Sequence, residues 1–137
     1  MSTPTHLAEY CQCWGFSANH LLVNHERNIY RCGVLQRCRS LDQAAQRMAQ
    51  NAVSKGNIAA AKTAAQCPEL QNTLKSQKVS QVILVGNSIQ EIHTSAMKHN
   101  RAARRTILTP KHKEFGMATA RYPGDSNKIV IVQLFRG

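Results

Sequence analysis

The chain has 137 residues, enough for one domain with a continuous core and too few to divide comfortably into two. Hydrophobic residues make up 42% and charged residues 18%, which is the composition of a globular protein and excludes a disordered one. The charge is exceptional, because 18 Lys and Arg against 7 Asp and Glu give a formal net charge of +11. Such a charge favours an acidic partner, and nucleic acid, anionic lipid and an acidic protein surface all qualify.

The sequence carries no membrane span and no secretory signal. The longest apolar run, QVILVG at 81–86, is far shorter than the roughly eighteen residues that a span requires, so we expect a protein that is not integral to a membrane. The start, MSTPTHLAEYCQCWGF, lacks the basic and apolar regions of a signal peptide. These observations predict an intracellular location, cytoplasmic or organellar.

Five cysteines occur, an odd number, and no two of them have the CxxC spacing of a zinc or redox site. Free, partly buried thiols are the simplest interpretation, with disulfides or a metal as the alternatives.

Residues 1–15 hold Pro4, Gly15 and mixed polar groups and are predicted to form an N-terminal arm before a domain at 16–137. The first predicted helix has Ser17 as its N-cap and ends at Gly33. Residues at helical spacing are expected to form its inward face: Leu21, Leu22, His25, Ile29 and Cys32.

A second helix is predicted in SLDQAAQRMAQNAVSKG, between Ser40 as the cap and Gly56 as the end. Its apolar residues form one stripe: Leu41, Ala44, Ala45, Met48, Ala49, Ala52 and Val53. A short helix is predicted near 68–75, after an Ala-rich and polar segment.

The run SQVILVG is rich in β-branched residues and is bounded by Gly86 and Asn87, which predicts a central strand buried on both faces. A third helix is expected from Ser88 to about Arg105. The strands EFGMATARY and KIVIVQLF follow, joined by the turn residues PGDSN. The order α, α, β, α, β, β predicts an α/β fold, because a small sheet with two apolar faces needs helices on both sides.

Three strings, in order, resemble the CAP superfamily, which comprises cysteine-rich secretory proteins, antigen 5 and plant pathogenesis-related proteins and is also called the SCP domain. They are LLVNHERNIYRCGVLQ, SLDQAAQRMAQNAVSKGNI and RRTILTPKHKEFGMATARYPGDSNKIVIVQLF, and together they extend over about residues 17–136. The resemblance implies an α-β-α sandwich with a small antiparallel sheet between helices.

Many members of that family hold a divalent metal with two His and two acidic residues, a ligand set that suits zinc. The resemblance implies a first His within 57–80, but this segment contains no His. It also implies a carboxylate at position 81 and the second His at position 103, where this sequence has Gln81 and Ala103. A shifted alignment places His99 at the position of the second His, but a single imidazole without the other ligands holds zinc poorly. The sequence therefore resembles a degenerate member with no metal, no cofactor and no catalytic residues, and we expect no enzyme activity. His25 is predicted in the core, and His99 and His112 on a basic face.

A cluster of cations surrounds the end of the predicted third helix: Lys98, Arg101, Arg104, Arg105, Lys111 and Lys113. Arg101, Arg104 and Arg105 have the i, i+3, i+4 spacing of one helix face. Cations here also complement the negative end of the helix dipole, which explains one or two of them. No aromatic residue lies between Lys98 and Lys113, which argues against sequence-specific nucleic-acid recognition.

The sequence leaves three hypotheses for these cations, besides a surface that is merely soluble and basic. The first is a non-catalytic scaffold or complex subunit that docks through them on an acidic protein partner in a larger assembly, such as a microtubule or a pigment-protein antenna. The second is binding of a lipid, a sterol or an anionic membrane surface. The third is non-specific binding of nucleic acid through its phosphates.

Overall fold

The computed structural model describes residues 15–54, 68–122 and 125–137. These ranges contain five helices and four strands, in the order α1 Gly15–Ile29, β1 Gln36–Arg37, α2 Arg39–Ser54, α3 Pro68–Ser76, β2 Ser80–Gly86, α4 Ile89–His99, α5 Arg101–Ile107, β3 Glu114–Tyr122 and β4 Asp125–Arg136. The predicted arm lies outside the described residues, except for Gly15, at which α1 begins. The end of the second predicted helix, Gly56, also lies outside them.

The four strands form one sheet in the order β1-β3-β4-β2, so the prediction of a central position for β2 is wrong: it is an edge strand, in which only Val82 and Leu84 are buried. The chain reverses from β3 into an antiparallel β4, with Ala118 opposite Val132, and β2 pairs antiparallel with the other edge of β4, with Leu84 opposite Ile131. The predicted antiparallel pairing holds for these three long strands. The sheet as a whole is mixed, because β1 pairs in parallel with β3 over only two residues, too few to leave a pattern in the sequence.

Helices cover both faces of the sheet. Side chains from one face, including Leu84, Phe115 and Ile131, share a buried cluster with residues of α1, α4 and α5. Side chains from the opposite face, including Ala118 and Val132, pack against α2 and α3. Since successive residues of a strand point to opposite faces, each long strand contributes to both clusters. The predicted α/β sandwich is confirmed.

The stripe predicted for α2 is its buried face, and this helix lies very close to β3. Leu41, Ala45, Met48, Ala49 and Ala52 are all buried. A Cβ atom at Gly116 of β3 would lie 2.4 Å from both the carbonyl carbon and the Cβ of Leu41. The absence of a side chain at this position therefore allows the backbones of α2 and β3 to approach.

The predicted inward face of α1 is wrong. Leu21 and Ile29 are 67% and 55% exposed, and His25 is exposed as well. The face toward the sheet carries Asn19, His20, Val23 and Arg27, all buried. These positions have helical spacing, but three of the four are polar, so a search for apolar periodicity selects the opposite face.

The first helix ends at Ile29, four residues before the predicted Gly33. The Cys32 N–H donates to the Arg27 carbonyl at 2.8 Å, and the Arg31 N–H donates to the Asn28 carbonyl at 3.2 Å. This pair of bonds is the Schellman termination, and it places Arg31 in the left-handed region with a φ of 56°. The same pattern ends α3, where Lys78 has a φ of 57°.

The predicted third helix is two helices, because Asn100 interrupts it. The Asn100 N–H donates to the Ala96 carbonyl and ends α4, while its side chain accepts a 3.0 Å hydrogen bond from the Ala103 N–H and begins α5. Asparagine is among the residues best suited to an N-cap, which favours a new helix start over continuation.

Candidate functional site

The six cations predicted to bind a partner lie on α4, on α5 and in the loop between α5 and β3. We call these six residues the basic surface: Lys98, Arg101, Arg104, Arg105, Lys111 and Lys113. All are exposed except Arg104, which is half-buried. The structure keeps Arg101, Arg104 and Arg105 on one helix and places Lys98 across the helix break. The inward face of α5, Ala103 and Ile107, is buried, so the arginines extend from its other sides.

The acidic side chains near the core are engaged elsewhere. Asp42 accepts hydrogen bonds from the Arg37 side chain at 2.7 Å and from the Met117 N–H at 3.1 Å. The Arg136 side chain donates to Glu114 at 2.8 Å, and Glu26 lies 3.5 Å from His93. Among the described residues, no carboxylate forms an ion pair with the basic surface. Its positive charge is therefore open to an external partner.

An aromatic residue joins the basic surface from a distant part of the sequence. The Arg104 guanidinium lies over the Tyr30 ring, 5.0 Å from the ring centroid. Tyr30 directly follows α1 and remains 49% exposed. The sequence did not predict Tyr30 as a neighbour of the basic surface, because Tyr30 lies far outside the segment from Lys98 to Lys113.

Arg27 fixes the part of the chain that carries the basic surface. Its side chain has no exposed surface, and its guanidinium donates five hydrogen bonds, all to backbone carbonyls. Three of these carbonyls belong to Ile107, Thr109 and His112, at 2.8, 2.8 and 3.2 Å. The other two belong to Cys32 and Gly33, at 2.8 and 2.7 Å. Burial lowers the pKa of Arg27, but an arginine stays charged at physiological pH.

The bond from Arg27 to Ile107 changes the interpretation of the neighbouring arginines. Cations near the end of a helix stabilise it by neutralising the last carbonyls. At the end of α5 the buried guanidinium of Arg27 already donates to the Ile107 carbonyl, and the Leu108 N–H donates to the Arg104 carbonyl. The exposed Arg101 and Arg105 are therefore not needed to satisfy the carbonyls at this end.

The positions that the CAP resemblance assigned to a lost metal site have structural contacts. Ala103 is buried in the core beside Ile107, and the Gln81 side chain donates a 2.9 Å hydrogen bond to the Gln71 side chain. His99 is exposed at the end of α4. The described ranges contain no group of three His, Cys, Asp or Glu that could hold a metal ion.

Three buried histidines are structural, and the prediction that His112 adds to the basic face is wrong. His112 is stacked on Phe135 with ring centroids 5.5 Å apart, and His20 is stacked on Phe115 at 5.7 Å. His93 faces Glu26 from α4. Burial is the main cause that lowers the pKa of each imidazole below its ordinary value.

The fold and this surface together define an α/β sandwich domain with a basic surface that has no carboxylate partner among the described residues. No family model matches the chain, and no curated protein matches it. Among solved structures, the chain is similar to an outer surface protein from Borrelia burgdorferi, with a TM-score of 0.61 and 10% sequence identity over 89% of this chain and 91% of that one. At this identity the likeness concerns the fold alone.

These comparisons correct two predictions. Assignment to the CAP superfamily is wrong, because no family model matches and the solved structure shares only the fold at 10% identity. The predicted intracellular location is contradicted, because the structural neighbour is an outer surface protein. No helix of the described residues has both the length and the apolar character needed to cross a membrane.

Proposed function

We propose that the protein is a non-catalytic binding domain that docks on an acidic protein partner through the basic surface. One observation carries the proposal: the six cations, on α4, α5 and the loop after α5, have no carboxylate partner among the described residues. A cluster of like charges without partners repels itself, and an acidic surface relieves that repulsion on binding.

An acidic protein suits this surface better than a lipid bilayer. Three of the six cations are arginines on α5, and the planar guanidinium binds carboxylates through two parallel hydrogen bonds. A helix that inserts into a bilayer needs a free apolar face. Two of the three apolar residues of α5, Ala103 and Ile107, are buried in the core, and the exposed Ala102 alone is not such a face.

Nucleic acid is also less well suited. Binding of single strands relies on aromatic rings on which bases stack. The basic surface has Tyr30 beside it, but the guanidinium of Arg104 covers one face of that ring. A single ring with one face covered offers little surface for base stacking, so the cations would contact phosphates without recognition of bases.

A cell-surface or extracellular setting is the location that we propose for this docking. Its support is the structural neighbour, an outer surface protein that matches most of both chains. Cleavage of the protein by a protease added to intact cells tests the location. Protection until the cells are lysed would contradict it.

A comparison of three polyanions tests the proposed function. The full chain is titrated with a short polyglutamate, with phosphatidylserine vesicles and with duplex DNA, at about 0.05 M and about 0.3 M salt, which screen exposed charges to different extents. We expect polyglutamate to bind more tightly at low salt. Binding of vesicles or DNA without binding of polyglutamate would contradict docking on a protein.

A further inference from the structure

The last residue of α1 and the turn that follows it expose apolar side chains beside the basic surface. Ile29, Tyr30 and Val34 are 55%, 49% and 65% exposed, within a segment of the chain from 29 to 34 that we call the apolar turn. Single exposed apolar residues are common on protein surfaces. Here three of them lie within six residues of the chain, and one of the three, Tyr30, contacts Arg104 of the basic surface.

The apolar turn is held rigidly against the end of α5. The Arg27 guanidinium binds the carbonyls of Cys32 and Gly33 on one side and those of Ile107 and Thr109 on the other. The Cys32 thiol adds a 3.1 Å contact to the Leu108 carbonyl. A surface that is already ordered loses less conformational entropy on binding than a mobile loop does.

We infer that the apolar turn is the second half of the docking surface, and that it takes a large apolar side chain lying beside the carboxylates of the partner. This inference rests on the proposed function and adds the kind of segment that is recognised. A partner that covers the arginines also reaches Tyr30, because Arg104 and Tyr30 are in contact. An apolar side chain at that place removes part of Tyr30 and Val34 from water.

Arg104 connects the two halves of the surface. The central carbon of its guanidinium lies over the Tyr30 ring, 5.0 Å from the centroid, and the N–H groups of a guanidinium lie in its own plane. Stacking therefore leaves the edge of the guanidinium available to a carboxylate. An acidic residue next to an apolar one in the partner can engage both features at once.

A second copy of this chain does not suit the patch. Each copy would bring the same six cations to the interface, and the net charge of +11 on each chain opposes that contact. The acidic segment removes this repulsion, which is why we choose it as the occupant.

Two synthetic peptides test the inference. Each has four Glu, and one has Leu at the central position where the other has Ser. We expect the full chain to bind the Leu peptide at least about fivefold more tightly, since partial burial of a leucine side chain contributes that much. Val34→Ser and Tyr30→Ala should each reduce this preference to about twofold or less, because they remove the apolar contact.

Leu21→Ser is the matched control. Leu21 is 67% exposed, as Val34 is 65% exposed, but it lies with Leu22 and Ile89, about two turns of α1 before Ile29. It should leave the preference for the Leu peptide intact. Circular dichroism confirms that each variant is folded.

The outcomes separate the inference from the proposed function. Both peptides could bind equally, in a salt-dependent way, with no effect of Val34→Ser. This outcome would refute the role of the apolar turn but would agree with docking through the basic surface. No salt-dependent binding of either peptide would refute both. Binding of phosphatidylserine vesicles that Val34→Ser weakens, without binding of peptides, would assign the patch to a membrane and also refute both. Self-association that Val34→Ser abolishes would refute the choice of occupant.

Discussion

The guanidinium of Arg27 donates a 2.8 Å hydrogen bond to the carbonyl oxygen of Ile107, and this contact links α1 to the last residue of α5. The same side chain also binds four other carbonyls, from two segments far apart in sequence. The buried Arg27 thus holds together the region that carries the exposed cations of the basic surface.

Removal of Arg27 should strongly destabilise the fold. Arg27→Ala leaves five carbonyls without this donor and creates a cavity, so we expect the free energy of unfolding to fall by about 4 kcal/mol or more. Arg27→Lys keeps the charge but has three donors, so a loss of about 2 kcal/mol is expected. Urea denaturation measures both values. The exposed Arg39→Ala is the control, and a loss below about 1 kcal/mol for Arg27→Ala would contradict the role of Arg27.

Glycine at position 31 should stabilise the protein. Arg31 has a φ of 56°, a conformation that disfavours side chains, so Arg31→Gly is expected to raise the free energy of unfolding by about 0.5–1 kcal/mol. Lys78→Gly is a matched control, because Lys78 ends α3 in the same conformation.

The two glycine variants should differ in docking. Lys78 lies on the opposite side of the sheet from the basic surface, whereas Arg31 follows Tyr30 directly. We expect Arg31→Gly alone to weaken binding of polyglutamate, by about twofold, as for loss of one exposed charge. An equal effect of Lys78→Gly would exclude Arg31 from the docking surface.

The free energy of unfolding should fall as the pH falls from 7 toward 5. Burial lowers the pKa of His20, His93 and His112, so the unfolded chain takes up protons below pH 6.5 before the folded chain does. Each such group contributes at most about 1.4 kcal/mol per pH unit, with stability lost toward acid.

Replacement of His93 tests this pH dependence. His93→Gln should make the free energy of unfolding less dependent on pH between 7 and 5, and the exposed His99→Gln is its control. Burial raises the pKa of Asp42, which gives a slope of opposite sign, but the comparison with the parent chain cancels this contribution. An unchanged slope for His93→Gln would contradict the prediction.

Alanine at position 116 should disrupt the contact between α2 and β3. Its methyl group would lie 2.4 Å from backbone and side-chain atoms of Leu41, so α2 has to move. We expect Gly116→Ala to lower the free energy of unfolding by about 3 kcal/mol, at the upper end for an overpacked core. Thermal denaturation measures the change. A cost below about 1 kcal/mol would show that the helix moves freely.

The sequence predicted the elements whose burial follows from apolar pattern. β2 and β3 have the predicted bounds, and the stripe of α2 is buried as expected, because its apolar residues recur at helical spacing. The apolar run of β2 located the strand but not its position, since β2 lies at an edge of the sheet and only Val82 and Leu84 in it are buried. The inward face of α1 could not be predicted in this way. Arg27 is buried because carbonyls from residues 107, 109 and 112 surround it, and no local pattern contains that information.

The local structure that carries the proposed docking site was predicted in part. Charge spacing located the three arginines of α5, but the contact between Arg104 and Tyr30 depends on how α1 packs against α5. The break at Asn100 had a recognisable cause, since asparagine is a favourable N-cap, yet the helical pattern on both sides of it obscured this.

The most direct test of docking through the basic surface compares two double variants of equal charge. Arg101→Gln with Arg105→Gln removes two cations from α5, and Arg39→Gln with Lys75→Gln removes two exposed cations from the opposite side of the sheet. We expect the first pair to weaken binding of polyglutamate at low salt by about fivefold or more, whereas the second pair should change it by less than about twofold. Equal weakening by both pairs would show that only the net charge matters and would contradict a defined docking surface.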